Sequence, residues 1–235
     1  MSVLVSGGVI HIPEDRLAAT DIPRYFRDKG GNSLFVVPTQ LRRLLDLARP
    51  GEQLLGDLVL LLCSGAPLSS LERRRTVANL CTNFHEYYAS TEGGGVSLSG
   101  PLGRDTHYES VGRPVFGVSV QIVNEDDRPL GTGTIGRLRY TGPGVAQGFL
   151  NDPEETRSHF NRGWFYPGDL AEIDQEGFIY LRGREKDMVI SGGINIYPNE
   201  IEDVIRGIDG IVDVAVVGIP DADLGERVVC AWVGV

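Results

Sequence analysis

The 235 residues predict an α/β protein with a β-rich second part, and three observations carry that prediction. The first third alternates strand-like with helix-like stretches. Residues 58–63 form an apolar run with no polar alternation, as a strand buried on both faces would. From about residue 111 the pattern changes to short strands and tight turns.

In chain order, residues 33–37 have strand character. Pro38 then suits the first turn of a helix whose Leu41, Leu44, Leu45 and Ala48 recur at i, i+3, i+4 and i+7. The run 58–63 ends in the turn Ser64, Gly65, Ala66, Pro67. In the β-rich part, 118–123 and 135–141 are strands flanking an acidic turn at 124–128. Residues 169–173 and 178–181 form a hairpin about the turn Asp174, Gln175, Glu176, Gly177. After the charged stretch 182–187 a new pattern starts, with a strand at 188–190. It continues with a helix opened by Pro198, with Glu200, Glu202 and Asp203 suiting the positive end of its dipole. The apolar stripe of that helix is Ile201, Val204, Ile205 and Ile208, and strands at 212–219 and 227–235 follow. The expected organisation is therefore 1–110 as an α/β subdomain, 111–183 as a β-rich subdomain, 184–187 as a hinge and 188–235 as a small α+β domain.

Composition narrows the function classes. A net charge of −10 argues against a surface that wraps nucleic acid or lies on anionic lipid. The excess is uneven: residues 1–100 carry 10 basic and 10 acidic groups, and 101–235 carry 12 and 22, a solvated acidic face. Cys63, Cys81 and Cys230 have no C-x-x-C spacing, so small buried thiols in a reducing cytoplasm are expected, rather than a disulfide or zinc framework. The longest apolar run is too short to span a bilayer. Only Lys29 and Lys186 supply an amine. Lys29 precedes Gly30 at a helix end, where a cation suits the dipole.

Four segments combine glycine, proline and reactive polar groups beside predicted strand ends, where open α/β sheets bind ligands. They are the turn Ser64 to Pro67, then Tyr87, Tyr88, Ala89, Ser90, Thr91 and Glu92 with three glycines behind, then the turn around Gly168 and Asp169, and finally Gly183 to Asp187 with Gly192 and Gly193 close after. The second segment, expected to be a loop, offers a ring for a base, a hydroxyl for a phosphate oxygen and a carboxylate for Mg²⁺. Taken alone, the plainer reading is a polar loop with one core tyrosine. Asp169 has the chemistry to accept hydrogen bonds from both hydroxyls of a ribose, or equally to cap a turn. Arg184 by itself is an arginine free to pair with any surface carboxylate.

In this order the segments resemble the adenylate-forming superfamily of acyl-CoA synthetases, aryl-acid ligases, adenylation domains and luciferases. The likeness runs along essentially the whole chain, including Gly142, Pro143, Gly148, Phe149 and the segment 151–156 ahead of Asp169. It implies a fold in which part of the large domain, an α/β sheet plus the β-rich subdomain, precedes part of the small C-terminal domain. It also implies roles. Tyr88 corresponds to the tyrosine that stacks on adenine, Thr91 to the threonine at the α-phosphate and Glu92 to the Mg²⁺ ligand. Ala89 and Ser90 lie within the same nucleotide segment. Gly65, Ala66 and Pro67 match the stretch between the adenine and acyl pockets, to which His85 and Glu86 would add polarity. Asp169 matches the ribose aspartate, Arg184 the arginine at ribose and phosphate, and Lys186 the hinge. Gly192 and Gly193 match the loop lining the pantetheine tunnel. Four positions depart from the pattern: Ala89 for glycine, Arg137 for glutamate, and Tyr166 with Pro167 where threonine is commoner.

The reaction so implied has two halves. A carboxylate is activated by ATP as acyl-AMP and then transferred to CoA, with ATP, Mg²⁺ and CoA as required small molecules and a fatty or aryl acid as substrate. The family's Ser/Thr/Gly-rich phosphate loop with its lysine, and its C-terminal lysine, find no counterpart in this sequence. The expectation is a cytoplasmic ligase of which this chain is the middle to late half, inactive alone, with no nucleic-acid or membrane partner. A non-catalytic nucleotide-binding or interaction module, and an enzyme loading a carrier protein instead of CoA, are the alternatives.

Overall fold

A computed structural model describes residues 2–15, 17–101 and 107–234. The chain divides into two compact units. The first comprises Met1–Leu68, Glu72–Glu86 and Gly100–Leu102, and the second Ser69–Leu71, Tyr87–Ser99 and Gly103–Val235.

The first unit begins with the short helix α1 (Ser2–Val5) and continues through α2 (Ile22–Lys29), β1 (Ser33–Val36), α3 (Pro38–Leu47), β2 (Leu60–Cys63) and, from Glu72 onward, α4 (Ser70–Asn79) to the start of β3 (Phe84–Ser90). Gly30 ends α2 at φ +65, a left-handed angle that glycine adopts without a Cβ penalty. Lys29 sits in the last turn, as the dipole favours. Strands β1, β2 and β3 run parallel, with Val36 beside Cys63 and Cys63 beside Glu86. Leu41, Leu44 and Leu45 from the buried face of α3 join Val36, Leu61, Cys63 and Phe84 in one apolar cluster. The α3 periodicity is borne out, whereas residues 58–63 are not buried throughout. Leu61 and Cys63 are wholly covered, Leu60 and Leu62 half so, and Val59 is 67% exposed. Only the alternate side chains of β2 reach the cluster.

Arg73 and Glu86 are both buried and form a two-pronged ion pair, Nε to Oε2 at 2.5 Å and Nη2 to Oε1 at 3.0 Å. Removed from water, each charge depends on the other. Glu86 is thus a structural carboxylate, not a source of pocket polarity as the sequence suggested. Its counter-charge, 13 residues back on α4, carries no sequence signal.

The second unit takes over β3 and continues with β4 (Gly94–Ser99), β5 (Arg113–Pro114), β6 (Ser119–Val123), β7 (Gly136–Thr141), α5 (Pro153–His159), β8 (Phe160–Asn161), β9 (Trp164–Phe165), β10 (Asp169–Ile173) and β11 (Ile179–Arg184). Tyr87 to Ser90, expected in a loop, are strand residues, and only Thr91 to Gly93 form the turn into β4. The aromatic residues Phe84, Tyr87 and Tyr88 favour a pleated strand, and the glycines of the turn and of β4 allow close approach. A Cβ on Gly93 would lie 2.0 Å from the Tyr140 hydroxyl, and one on Gly95 1.6 Å from that of Tyr87. The β-rich sheet has the order β11, β10, β7, β9, β8, with β6 paired to β7. Its core gathers Val96, Ile122, Leu138, Tyr140, Phe165 and Ile179.

Beyond residue 187 a four-stranded sheet contains β12 (Val189–Ser191), β13 (Ile194–Ile196), β14 (Ile211–Asp221) and β15 (Gly225–Gly234), ordered β13, β12, β15, β14, with α6 (Pro198–Arg206) preceding β14. Edge strand β14 donates its Val216 N–H to Glu202 Oε1 at 2.9 Å, which satisfies one otherwise open donor. Of the expected α6 stripe, Ile201 and Ile205 are partly covered, while Val204 and Ile208 are exposed, and Ile208 lies past the helix end. The helix is held by the polar contacts of Glu202 and Arg206 as well as by its apolar face. Among the described residues no helix is long and apolar enough to cross a membrane.

Arg73→Met strands the Glu86 carboxylate, so urea denaturation should show a loss of about 3–5 kcal/mol, part of which returns when Glu86→Leu is added. Among the thiols, Cys63 and Cys81 are buried while Cys230 is exposed, contrary to the expectation for all three. The C-terminal half of β15 leaves its side chains largely uncovered. Burial pushes the Cys63 thiol up from 9.0 to about 12. A disulfide reagent at pH 8 should therefore label Cys230 rapidly and the other two only on unfolding. Between pH 9 and 12 the unfolded chain releases the Cys63 proton first, so its contribution to stability is lost as pH rises through that window.

Candidate functional site

The hairpin of β10 and β11 carries the chemistry at one end. Counting back from Ile173 opposite Ile179 and Ala171 opposite Leu181, regular pairing would set Gly183 across from Asp169. The register instead shifts between Leu170 and Ala171, so that Asp169 faces Arg184. This bulge is built on Gly183 at φ +127, an angle that L side chains rarely adopt, although a Cβ there would meet nothing closer than 3.6 Å. Backbone conformation, not space, requires the glycine. Its result is an ion pair between Arg184 Nε and Asp169 Oδ1 at 3.3 Å.

The other carboxylate oxygen, Asp169 Oδ2, accepts a hydrogen bond from the Tyr88 hydroxyl, donated from 81 residues earlier in the sequence. The Asp169 side chain is only 13% exposed, whereas Arg184 is 64% exposed. Burial pushes the Asp169 carboxyl up, opposed by the Tyr88 hydrogen bond and the Arg184 charge. Burial, and then the Asp169 charge, hold the Tyr88 hydroxyl well above its ordinary value. The phenol therefore keeps its proton and is the donor in this pair.

Two residues beyond Tyr88, and so on the same face of β3, Ser90 Oγ lies 2.8 Å from the hydroxyl of fully buried Tyr140 and accepts the Gly93 N–H at 2.9 Å. These contacts fix the turn that carries Thr91 and Glu92. Thr91 is exposed and Glu92 half-buried. The Glu92 backbone carbonyl accepts the Ala146 N–H at 2.7 Å. Among the described residues nothing hydrogen-bonds to or ion-pairs with the Glu92 carboxylate. Ala89 lies within β3 at an ordinary extended angle, so its replacement of glycine brings no strain.

A cavity of about 380 Å³ adjoins Asp169, with Arg137, Tyr166, Gly168, Glu185 and Lys186 among its lining residues. That volume is in the range of small-ligand pockets. Two of the departures noted in the sequence stand here with partners. Arg137 Nη2 bonds Asp127 Oδ1 at 2.7 Å. The Tyr166 hydroxyl receives Arg139 Nη1 at 2.8 Å and donates to Asp127 Oδ1 at 3.1 Å. Sequence reading missed Tyr140, Asp127 and Arg139. Arg137 and Arg139, two apart on β7, were a signal that side chains on one face of that strand share polar partners.

Lys186 is exposed in a 3-10 turn at Glu185–Asp187, which is tied back by Glu185 N–H to Gly168 O at 2.9 Å. Gly192 and Gly193 are exposed at φ +57 and +82 in the turn from β12 to β13. Gly65, at φ +110, and its neighbours Ala66 and Pro67 belong to the first unit, in the turn after β2. The structure thus brings Tyr88, Asp169 and Arg184 into contact, with Ser90 supporting the strand.

Comparison with known proteins gives a consistent result. The sequence profile of the family described as AMP-binding enzyme matches residues 1–150. Among curated relatives, the medium/long-chain-fatty-acid–CoA ligase FadD8 of Mycobacterium tuberculosis is 31% identical over 212 residues, 88% of this chain and 37% of the relative. A feruloyl-CoA synthase of Amycolatopsis is 35% identical over 195 residues, 82% of this chain and 39% of the relative. Among solved structures, ATP-bound MatB from Rhodopseudomonas palustris superposes with a TM-score of 0.85 at 34% identity, covering 93% of this chain and 43% of that one. The chain spans less than half the length of each of these relatives. With its profile match over 150 residues and its fold shared with an ATP-bound relative, the chain belongs to the AMP-binding, adenylate-forming acyl-CoA ligase superfamily.

Proposed function

We propose that this chain supplies the adenosine-binding part of an ATP-dependent acid–thiol ligase, which activates a carboxylic acid as acyl-AMP and passes the acyl group to CoA. The observation that carries the reading is the meeting of Tyr88 and Arg184 on the desolvated carboxylate of Asp169. A buried carboxylate held by two donors still has acceptor positions for the two hydroxyls of a ribose. The Tyr88 ring offers a face to the base, and the exposed Thr91 hydroxyl can donate to an α-phosphate oxygen.

In the first half-reaction, a substrate carboxylate oxygen bonds to the α-phosphorus while the bond to pyrophosphate breaks. In the second, a thiol sulfur bonds to the acyl carbon, AMP leaves and the thiol proton passes to solvent. Negative charge builds on phosphate oxygens in the first, so fixed cations and donors accelerate it without a protein nucleophile. Arg184 is the cation in this chain poised beside the ribose seat. Glu92 fits a Mg²⁺ ligand, because its carboxylate is uncommitted and Mg²⁺ commonly takes one protein carboxylate together with substrate phosphates. Bound there, the ion would neutralise phosphate charge. The left-handed angles of Gly192 and Gly193, with no side chains, suit a loop that lines a narrow tunnel for a thiol arm. In this reading Lys186, exposed in the turn between the hairpin and the last sheet, is the hinge.

The decisive assay is exchange of labelled pyrophosphate into ATP by the intact protein, run against a panel of fatty and aryl acids. Acid-dependent exchange is expected, with a loss of at least about 100-fold for Asp169→Ala, while exchange with no dependence on any acid counts against the ligase reading. Glu92→Gln should raise the Mg²⁺ concentration needed for half-maximal exchange and leave the affinity for AMP alone unchanged. Gly183→Ala, which strains the bulge by about 1–3 kcal/mol, should weaken AMP binding by disturbing the pairing of Arg184 with Asp169, measured by calorimetry.

A further inference from the structure

We infer that Tyr88 is a positioning residue for the ribose seat: its hydroxyl fixes the orientation of the Asp169 carboxylate, so that one side chain sets both the base platform and the hydroxyl-binding group. The inference rests on the nucleotide reading above and extends it to an interaction inside the protein.

The Asp169 terminal torsion is intrinsically broad, so an unheld carboxylate sweeps through many orientations. Only a small part of this side chain is exposed, which limits how far water can substitute for a lost donor. Two protein donors hold it. Arg184 is mostly exposed and reaches Oδ1 at 3.3 Å, a soft tether. Tyr88 donates to Oδ2 from a strand locked two residues further on by the contact of Ser90 with buried Tyr140. The stiffer restraint on the carboxylate is therefore Tyr88. The carboxylate has about four acceptor positions, and Tyr88 and Arg184 occupy one on each oxygen, so a ribose diol is received alongside the Tyr88 hydroxyl and not in its place.

The test compares AMP with 2′,3′-dideoxy-AMP, which lacks both hydroxyls, by calorimetry on the wild type, Tyr88→Phe, Asp169→Asn and the double variant. Phenylalanine keeps the ring face. Tyr88→Phe is expected to weaken AMP about tenfold and the dideoxy compound less than twofold, as for loss of a hydrogen bond to a charged group. It should cause no further loss in the Asp169→Asn background. Equal weakening of both ligands would overturn the inference, because Tyr88 would then act only through the base platform or the fold. Unchanged or tighter AMP binding would overturn it too, because the hydroxyl would then compete with the ribose. If the wild type binds the two nucleotides equally, the ribose assignment of Asp169 itself fails, an outcome distinct from unselective weakening by Tyr88→Phe.

Discussion

The site depends on keeping one carboxylate out of water and still held. Asp169 begins a strand, with its side chain largely covered, and burial raises its pKa, as expected of a charge deprived of solvent. What makes the position tenable is donation from both sides, by Tyr88 to one oxygen and Arg184 to the other. Each donor has its own structural cause. Tyr88 is delivered by β3, and Arg184 by a bulge that moves it one residue along β11.

Much of the surrounding architecture serves these two deliveries. Tyr140 is fully buried and bonded to Ser90, so the strand carrying Tyr88 and the turn carrying Glu92 are anchored in the β-rich core. Gly93 lies so close to the Tyr140 ring that a Cβ would collide with it. Gly168 takes φ +83 just before Asp169, and its carbonyl receives the Glu185 N–H, which ties the turn at residues 185–187 to the same hairpin end. Asp127, bonded to Arg137 and Tyr166, neutralises an arginine where the resemblance led one to expect a glutamate. Arg137 still lines the cavity beside Asp169, and its Nε is buried with no hydrogen-bond partner among the described residues.

Sequence reading located α3, the hairpin about residues 174–177 and the strands that flank the acidic turn, because each follows from local periodicity or turn chemistry. It named Tyr88, Asp169 and Arg184 through the resemblance. It could not foresee that the three touch, since a contact across 81 residues and a one-residue bulge are tertiary facts. The same limit explains its errors. Tyr87 to Ser90, expected in a loop, lie in β3, because pairing in the sheet overrides the local preference of their polar residues. Glu86 looked like pocket polarity because Arg73, its buried partner, lies on another element. The expectation of a buried Cys230 follows from cysteine number and spacing, which carry no information on the uncovered side chains in the C-terminal half of β15.

The central claim is that the Asp169 carboxylate, bracketed by Tyr88 and Arg184, is the seat of a nucleotide's ribose. A crystal structure of this chain with AMP tests it most directly. Both ribose hydroxyls are expected within hydrogen-bonding distance of the Asp169 oxygens, with the Tyr88 hydrogen bond to Oδ2 retained and the base against the Tyr88 ring. AMP bound with its ribose away from Asp169, or a Tyr88 hydroxyl displaced from the carboxylate by the sugar, would contradict the account.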